Sequence, residues 1–411
     1  GLAGAWNIVG GMGNDAYVFD TDTPAGTDTL TELPGAVNGI DTLDFSDTSG
    51  VAVDVDLSLT SIQDVSEVGS VKHLRLTLSD TDAIENVIGG GGNDTLLGNA
   101  LDNVMTGGPG SDLIDGRSGV DKLVEVRDVD FVLTNATLGV IAPAETDTLT
   151  DIERVELTGG QGKNRFDVSG WTGAPVILDG RNGTDTILST NDTDFTLTDT
   201  QLIRSPGVFF NLTSIENAIL ARGAGHNTLD ASAFTGSATL VGAAGNDMLL
   251  GGGSDNTYTF VPDTALGNDI IIDLGGIDTI DFSGSAAGIA VDLSNAAQQT
   301  VNANLKLTLD VGSAIENVLG GSGNDTFTGN SLNNTFTGGA GDDTYIFDAD
   351  LALGEDTINE SGGGNDTLNF SATTAAVTVD LSNPAQQTVN ANLKLTLGAA
   401  NTMENVLGGS G

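Results

Sequence analysis

The strongest constraint on this chain is a nine-residue rhythm, G-G-x-G-x-D followed by x-(apolar)-x. Residues 89–124 divide without a gap into GGGGNDTLL, GNALDNVMT, GGPGSDLID and GRSGVDKLV. A second run from Gly320 reads GGSGNDTFT, GNSLNNTFT and leads into GGAGDDTYI. Further copies begin at Gly10, Gly180 and Gly242. Glycines make a tight turn without steric cost. The last three residues make a short strand with one inward side chain. Nine residues are therefore a turn plus a strand, and eighteen make a coil with a turn on each edge.

Such a coil stacks sixth-position acids. Asp94 and Asp112 are 18 residues apart, as are Asp325 and Asp343. Carboxylates separated by one strand spacing, about 4.8 Å, repel each other. A hard cation between them reverses the sign, and Ca²⁺ accepts irregular cages of carboxylate and carbonyl oxygen. The candidate metal turns are Gly10, Gly13 and Asp15; Gly89, Gly92 and Asp94; Gly107, Gly110 and Asp112; Gly116, Gly119 and Asp121; Gly180, Gly183 and Asp185; Gly242, Gly245 and Asp247; Gly320, Gly323 and Asp325; Gly338, Gly341 and Asp343. The opposite edge carries Glu85, Asn103 and Asp121 at intervals of 18, then Glu316 and Asn334. Its mixed charge makes Glu85, Asn103, Glu316 and Asn334 weaker candidates. Asn164 and Asn227 also replace the sixth-position Asp.

These nonads resemble the RTX, or haemolysin-type, calcium-binding repeat family. The resemblance implies an all-β fold, a parallel β-roll or β-solenoid, with Ca²⁺ held between successive turns by carbonyls and the sixth-position Asp. It also implies a bacterial protein secreted and folded outside the cell. The segments between the nonads resemble the spacers of very large bacterial RTX-like surface proteins.

Charge points the same way. There are 57 Asp and Glu against 13 Lys and Arg, a formal net charge of −44. That excludes nucleic acid and anionic membrane as partners. There are no cysteines to staple the fold and only two histidines, which disfavours zinc. No apolar run reaches the ~20 residues of a membrane span.

Between the nonads the apolar residues alternate with period two, at Val51, Val53, Val55 and Leu57, at Leu74, Leu76 and Leu78, and at Leu305, Leu307 and Leu309. These read as strands with one buried face. A longer repeat aligns 278–323 with 366–411 at an offset of 88, and a shorter one relates Gly159 to Arg222 at an offset of 63. The expected organisation is 1–40, the end of a preceding unit; 41–124, a long unit with four nonads; 125–190 and 191–277, two shorter divergent units; 278–365, a long unit; and 366–411, part of another. Neither 63 nor 88 is a multiple of 18, so the spacers are either wider coils or small β modules. Both ends fall within nonads and lack the polar caps of a free solenoid. That pattern suggests a section of a longer repeat chain or an end-to-end assembly.

Catalysis is not expected. Glu85, Glu153, Glu216, Glu316 and Glu404 recur in the element I-E-N-V or its variants, and a residue repeated along a rod reads as a ladder element. Trp6, Trp171, Phe209 and Phe210 are expected mainly in the core. Lys72, His73 and Arg75 form a small basic spot on an acidic surface. Three roles remain open: an extracellular stalk, filament or matrix component that folds on binding several Ca²⁺ ions; an adhesin binding a glycan or surface ligand; and an accessory module of a secreted enzyme.

Overall fold

The single inward apolar residue of each short strand sets the architecture. In Thr95–Leu97, Val104–Thr106 and Leu113–Asp115 only the central residue (Leu96, Met105 and Ile114 respectively) is fully buried. Three residues cannot support a sheet alone, so each strand must lie in register on its counterpart one coil away. A computed structural model of the chain describes residues 4–32, 39–310, 314–360, 362–398 and 403–411. Among the described residues there are strands and turns but no helix. The fold is all-β, a roll of parallel ladders.

Packing divides the chain into two compact units. The first comprises Gly1–Leu188 with Val208–Ile215. One of its parallel ladders runs through Thr42–Asp44, Asn86–Ile88, Val104–Thr106, Lys122–Val126 and Arg154–Thr158. Facing it are Asp54–Asp56, Thr95–Leu97, Leu113–Asp115 and Glu145–Thr150. The second unit comprises Ser189–Gly207 with Glu216–Gly411. Its longest ladder includes Thr257–Thr259, Asp278–Asp281, Ile315–Leu319, Thr335–Thr337, Gly354–Asn359 and Leu393–Leu397. Another stacks Ala290–Asp292, Thr326–Thr328, Thr344–Ile346, Thr367–Asn369 and Asn405–Leu407.

Within the nonads the coils are 18 residues long, as between Asp94 and Asp112. Elsewhere they lengthen to 22 between Asn334 and Asp356, 35 between Asp112 and Asp147, and 44 between Asp41 and Glu85. Much of the excess goes into antiparallel excursions: Gln63–Val68 folds back on Val71–Leu78, Thr137–Val140 lies between Phe131–Thr134 and Glu145–Thr150, and Gln299–Thr300 returns on Leu305–Leu309. After each excursion the chain re-enters the parallel ladder. This is how spacers that are not multiples of 18 fit the roll. The period-two strands point as their sequence predicts, with Leu74, Leu76, Leu78, Leu305, Leu307 and Leu309 all buried.

The interior is a thin column in which like stacks on like. Phe327, Phe336 and Tyr345 pack with ring centroids 5.6–6.2 Å apart. Phe347 stacks on Phe370 at 5.6 Å, and Phe19 on Phe45 at 5.7 Å. Trp171 and Phe210 are buried, whereas Trp6 is 54 % exposed. The basic spot does not form: Lys72 and Arg75 pair with Asp64 at 3.2 and 2.8 Å, and His73 is buried with Nδ1 2.7 Å from the Thr21 carbonyl oxygen.

Truncating a stacked ring opens a cavity that neighbouring coils cannot close. Phe336→Ala is expected to cost about 3–5 kcal/mol in urea denaturation at saturating calcium. Leu351→Ala, at an exposed position, should cost less than about 0.5 kcal/mol. Equal effects would mean the column is not the core.

Candidate metal centre

The fourth residue of the nonad is where the chain reverses. Gly13, Gly110, Gly119, Gly183, Gly245 and Gly341 have φ between 112° and 150°, a region costly for side chains. Space is as restrictive as angle. A Cβ on Gly110 would lie 1.9 Å from the Gly92 carbonyl oxygen, and one on Gly341 2.4 Å from that of Gly323. Consecutive turns therefore stack with a backbone oxygen directly over a glycine. The first glycine faces the acid of its own turn. At Gly89, Gly107, Gly116, Gly180, Gly320 and Gly338 a Cβ would lie 2.3–2.5 Å from Oδ2 of Asp94, Asp112, Asp121, Asp185, Asp325 and Asp343 respectively. Each turn is an oxygen-lined cradle that a larger residue would fill.

The sixth-position acids form rungs along each edge. Oδ1 of one Asp accepts a hydrogen bond from the backbone N–H of the equivalent position in the preceding coil. In the first unit, Asp94 accepts from Val53 N at 2.8 Å, Asp112 from Asp94 N at 2.8 Å, and Asp147 from Asp112 N at 3.0 Å. On the other edge Asp41 accepts from Asp15 N, Glu85 from Asp41 N, Asp121 from Asn103 N and Glu153 from Asp121 N, all at 2.7–2.8 Å. In the second unit Asp325, Asp343, Asp366 and Glu404 accept in turn from Ile289, Asp325, Asp343 and Asp366 N. Glu316 accepts from Asp278 N and Asp356 from Asn334 N. Asp185 accepts from Asn164 N at 2.7 Å.

One oxygen of each carboxylate is thus committed. The second oxygens of Asp94 and Asp325 accept from Gly90 N and Gly321 N at 2.7 and 2.9 Å, and at other rungs the second is the question. Oδ2 of Asp112, Asp121, Asp343 and Asp356 is buried without a hydrogen-bond partner, in residues only 1–2 % exposed. An orphaned carboxylate oxygen is costly unless a cation or proton compensates it. Buried carboxylate oxygens beside stacked carbonyls form an all-oxygen donor set, which suits Ca²⁺ rather than zinc. The residues present fit the metal.

Two kinds of turn depart from this pattern. At Asn103 the amide is fully used: Oδ1 accepts from Asn99 N at 2.9 Å, while Nδ2 donates to Glu85 O and Asn99 Oδ1. Asn334 repeats this with Asn330 and Glu316 O, and Asn164 donates to Asp128 Oδ1 and Val129 O. An amide N–H₂ joins coils where a carboxylate would need a cation. At the Gly242 turn, Asp247 Oδ2 lies 2.5 Å from Arg222 Nη2 with both side chains fully buried, and Gly242 faces the Phe260 ring. Asp247 already has a counter-charge.

Burial raises several of the rung carboxyls, and neighbouring acids add to it at most of these positions. Asp112, Asp147 and Asp343 are pushed up to about 7, Asp121 to about 6 and Asp269 to about 8. Asp356 reaches about 7 through burial. Glu85 and Glu316 are raised as well, for the same first reason.

Sequence reasoning missed six rung residues: Asp41, Asp147, Asp269, Asp278, Asp356 and Asp366. Asp269 and Asp278 accept from Asp247 N and Asn256 N. None of the six follows a G-x-x-G turn at the nonad spacing. Five of them begin D-T-(Leu or Ile), and Asp269 begins D-I-I. An acid at the start of a short apolar strand was the usable signal.

Comparison with known proteins agrees with this geometry. A family model for the RTX calcium-binding nonapeptide repeat (4 copies) matches residues 88–123 and 232–260. A model for the peptidase M10 serralysin C terminal matches residues 247–361. No curated protein matches the chain.

The raised carboxyls give the chelator-treated protein a distinctive pH dependence. The fold holds protons that the unfolded chain, with carboxyls near pKa 4, has already released. Each such group therefore loses its stabilising contribution as pH rises from about 4 through about 7. In EGTA the Tm is expected to fall between about pH 5 and about pH 8, and saturating Ca²⁺ should flatten that slope. A Tm that climbs across this range in EGTA would contradict the carboxylate assignment.

Proposed function

For a chain that carries RTX calcium-binding nonapeptide repeats, we propose the role of an extracellular structural protein, a stalk, filament or matrix component that gains its rigidity from Ca²⁺. The observation that carries this reading is the stacked rung whose second oxygen is buried and unsatisfied at Asp112, Asp121, Asp343 and Asp356. We assign ions to the turns of Asp15, Asp94, Asp112, Asp121, Asp185, Asp325 and Asp343. The turns at Asn103 and Asn334 serve as amide-bonded joints. Asp247 is held by Arg222 instead of an ion. Glu85 and Glu316 close the mixed edge as rung acceptors. We read 1–40 as the end of a preceding unit, 41–124 and 278–365 as long units, 125–190 and 191–277 as short divergent units, and 366–411 as part of a long unit.

The mechanism is metal-coupled folding. A chain of net charge −44 repels itself, and buried rungs concentrate that repulsion. At low free Ca²⁺ the acids favour the open chain. At the millimolar Ca²⁺ found outside cells, sites with Kd of about 0.1–1 mM fill. Each filled site then adds about 1.4–2.7 kcal/mol when free ion exceeds Kd ten- to a hundredfold. The ion supplies only charge and coordination. The chain's own carboxylates position it, and the glycines leave room for it.

A second reading has one observation in its favour. The match of residues 247–361 to a serralysin C-terminal model supports an accessory module attached to a secreted enzyme. Both readings share calcium-coupled folding and differ in self-association, which the structural role includes.

Asp112→Asn separates the charge from the hydrogen bond, because an amide oxygen can still accept from Asp94 N. In Ca²⁺ this variant should lose about 1–3 kcal/mol, whereas in EGTA it should be neutral or more stable than the parent. Destabilisation of equal size in both conditions would overturn the metal role of this rung. Sedimentation velocity in Ca²⁺ and in EGTA adds the assembly test. Calcium-dependent growth with protein concentration supports a filament, and a concentration-independent monomer favours the accessory module.

A further inference from the structure

Three turns carry a tyrosine two residues after the sixth position: Asp15-Ala16-Tyr17, Asn256-Thr257-Tyr258 and Asp343-Thr344-Tyr345. In each, an acid follows 15 residues after the tyrosine, namely Glu32, Asp273 and Glu360. The ladders pair Val9 with Thr31, Leu250 with Ile272 and Thr337 with Asn359. One residue further on, each acid lies opposite the first glycine of its turn: Gly10, Gly251 or Gly338. The hydroxyls of Tyr258 and Tyr345 donate to Asp273 and Glu360. A Cβ on Gly338 would sit 2.3 Å from Asp343 Oδ2, 2.3 Å from Glu360 Oε1 and 2.4 Å from the Tyr345 hydroxyl. One on Gly10 would meet Glu32 Oε1 at 1.7 Å and the Tyr17 hydroxyl at 2.0 Å. The same three-residue convergence therefore recurs on separate coils.

In two of the three copies the sixth-position Asp, the middle acid and an acid of the next coil make a cluster of three carboxylates. Asp343, Glu360 and Asp366 each offer an oxygen within 4.8 Å of the others, and so do Asp15, Glu32 and Asp41. We propose that these two triads are divalent-cation sites, each taking Ca²⁺ through three carboxylates, with the Tyr345 hydroxyl orienting Glu360 in the second. This deepens the calcium reading above and rests on it. A turn site uses one rung acid and backbone oxygens. A triad adds an acid that belongs to no rung and lies opposite the turn's first glycine.

Two further observations point to a ligand. The Tyr17 hydroxyl, in a residue 8 % exposed, is buried beside Glu32 without a hydrogen-bond partner. Asp343 Oδ2 and Glu360 Oε2, in residues 1 % and 4 % exposed, likewise have none. Three carboxylates this close in a buried space need a counter-charge. Two comparisons inside the chain sharpen the assignment. Asn256 stands where Asp15 and Asp343 stand, so the Tyr258 copy lacks the third carboxylate and is assigned no ion. Glu125 also lies opposite a first glycine, but its Oε1 accepts from Gly107 N and Gly108 N at 2.8 and 3.0 Å and no tyrosine faces it.

The test uses the whole chain, with Ca²⁺ counted by equilibrium dialysis and Tb³⁺ as a luminescent substitute excited through tyrosine. Tyr345 lies in the second unit, and both tryptophans lie in the first. Glu360→Gln is expected to bind one fewer Ca²⁺ and to lose the Tyr345-sensitised Tb³⁺ emission, with an unchanged far-UV spectrum in Ca²⁺. Tyr258→Phe should leave both readouts at the parental level. Should Glu360→Gln not fold, Tyr345→Phe keeps every carboxylate and is expected to retain the calcium count while losing the emission. The triad is overturned if Glu360→Gln keeps the parental count and emission, or if Tyr345→Phe leaves the emission unchanged. Either result with the parent still binding several Ca²⁺ removes this inference alone. A parent that binds no Ca²⁺ removes the calcium reading as well.

Discussion

Everything in this fold depends on how a carboxylate is shared between one backbone N–H and whatever satisfies its second oxygen. The hydrogen bond to the preceding coil, at 2.7–3.0 Å in Asp112, Asp121 and Asp147, fixes the register of neighbouring turns. It also commits the acid to a buried position with a like charge one coil away. Strands of three residues bury too little to overcome that repulsion comfortably. The rung is therefore the connector between coils, and the proposed calcium-coupled folding rests on its second oxygen.

The glycines and the stacked aromatics follow from the same constraint. Rung contact needs each turn to sit tightly on the one before it, which leaves no room for a Cβ at Gly110 or Gly341. It also aligns the inward residues of successive strands, so Phe327, Phe336 and Tyr345 stack into a column. Some turns carry a group with its own protons in place of a carboxylate's open oxygen. Asn103 and Asn334 donate through their amides, and Arg222 neutralises Asp247. The long excursions leave the rungs intact because the chain rejoins the ladder at an acid, as at Asp147 after 35 residues and Glu85 after 44.

Much of this is legible in the sequence. The 18-residue spacing of Asp94 and Asp112 gives the coil, the edge and the metal argument together. The period-two strands at Leu74–Leu78 and Leu305–Leu309 point as read. The I-E-N-V glutamates read as ladder elements, and Glu85, Glu153, Glu316 and Glu404 occupy rungs. Less visible were Asp41, Asp147, Asp278, Asp356 and Asp366. A rung partner is defined by register, and excursions of variable length erase register from linear spacing. The tyrosine–acid pairs were missed for the same reason. A separation of 15 residues has no meaning in an 18-residue coil until the ladder places Glu360 opposite Gly338. The basic spot failed differently, because Lys72 and Arg75 each found an acid across the hairpin and His73 is buried against the Thr21 carbonyl.

The central claim is that the roll and its cations form as one event. The most direct test is far-UV circular dichroism of the EGTA-stripped protein during a Ca²⁺ titration, with Mg²⁺ in parallel. The account predicts a weak β signal without metal and a steep, cooperative gain specific to Ca²⁺, since the smaller Mg²⁺ demands an octahedral shell these turns do not provide. A full β spectrum in EGTA at neutral pH that does not change on adding Ca²⁺ would contradict it, and the apolar column would then carry the fold alone.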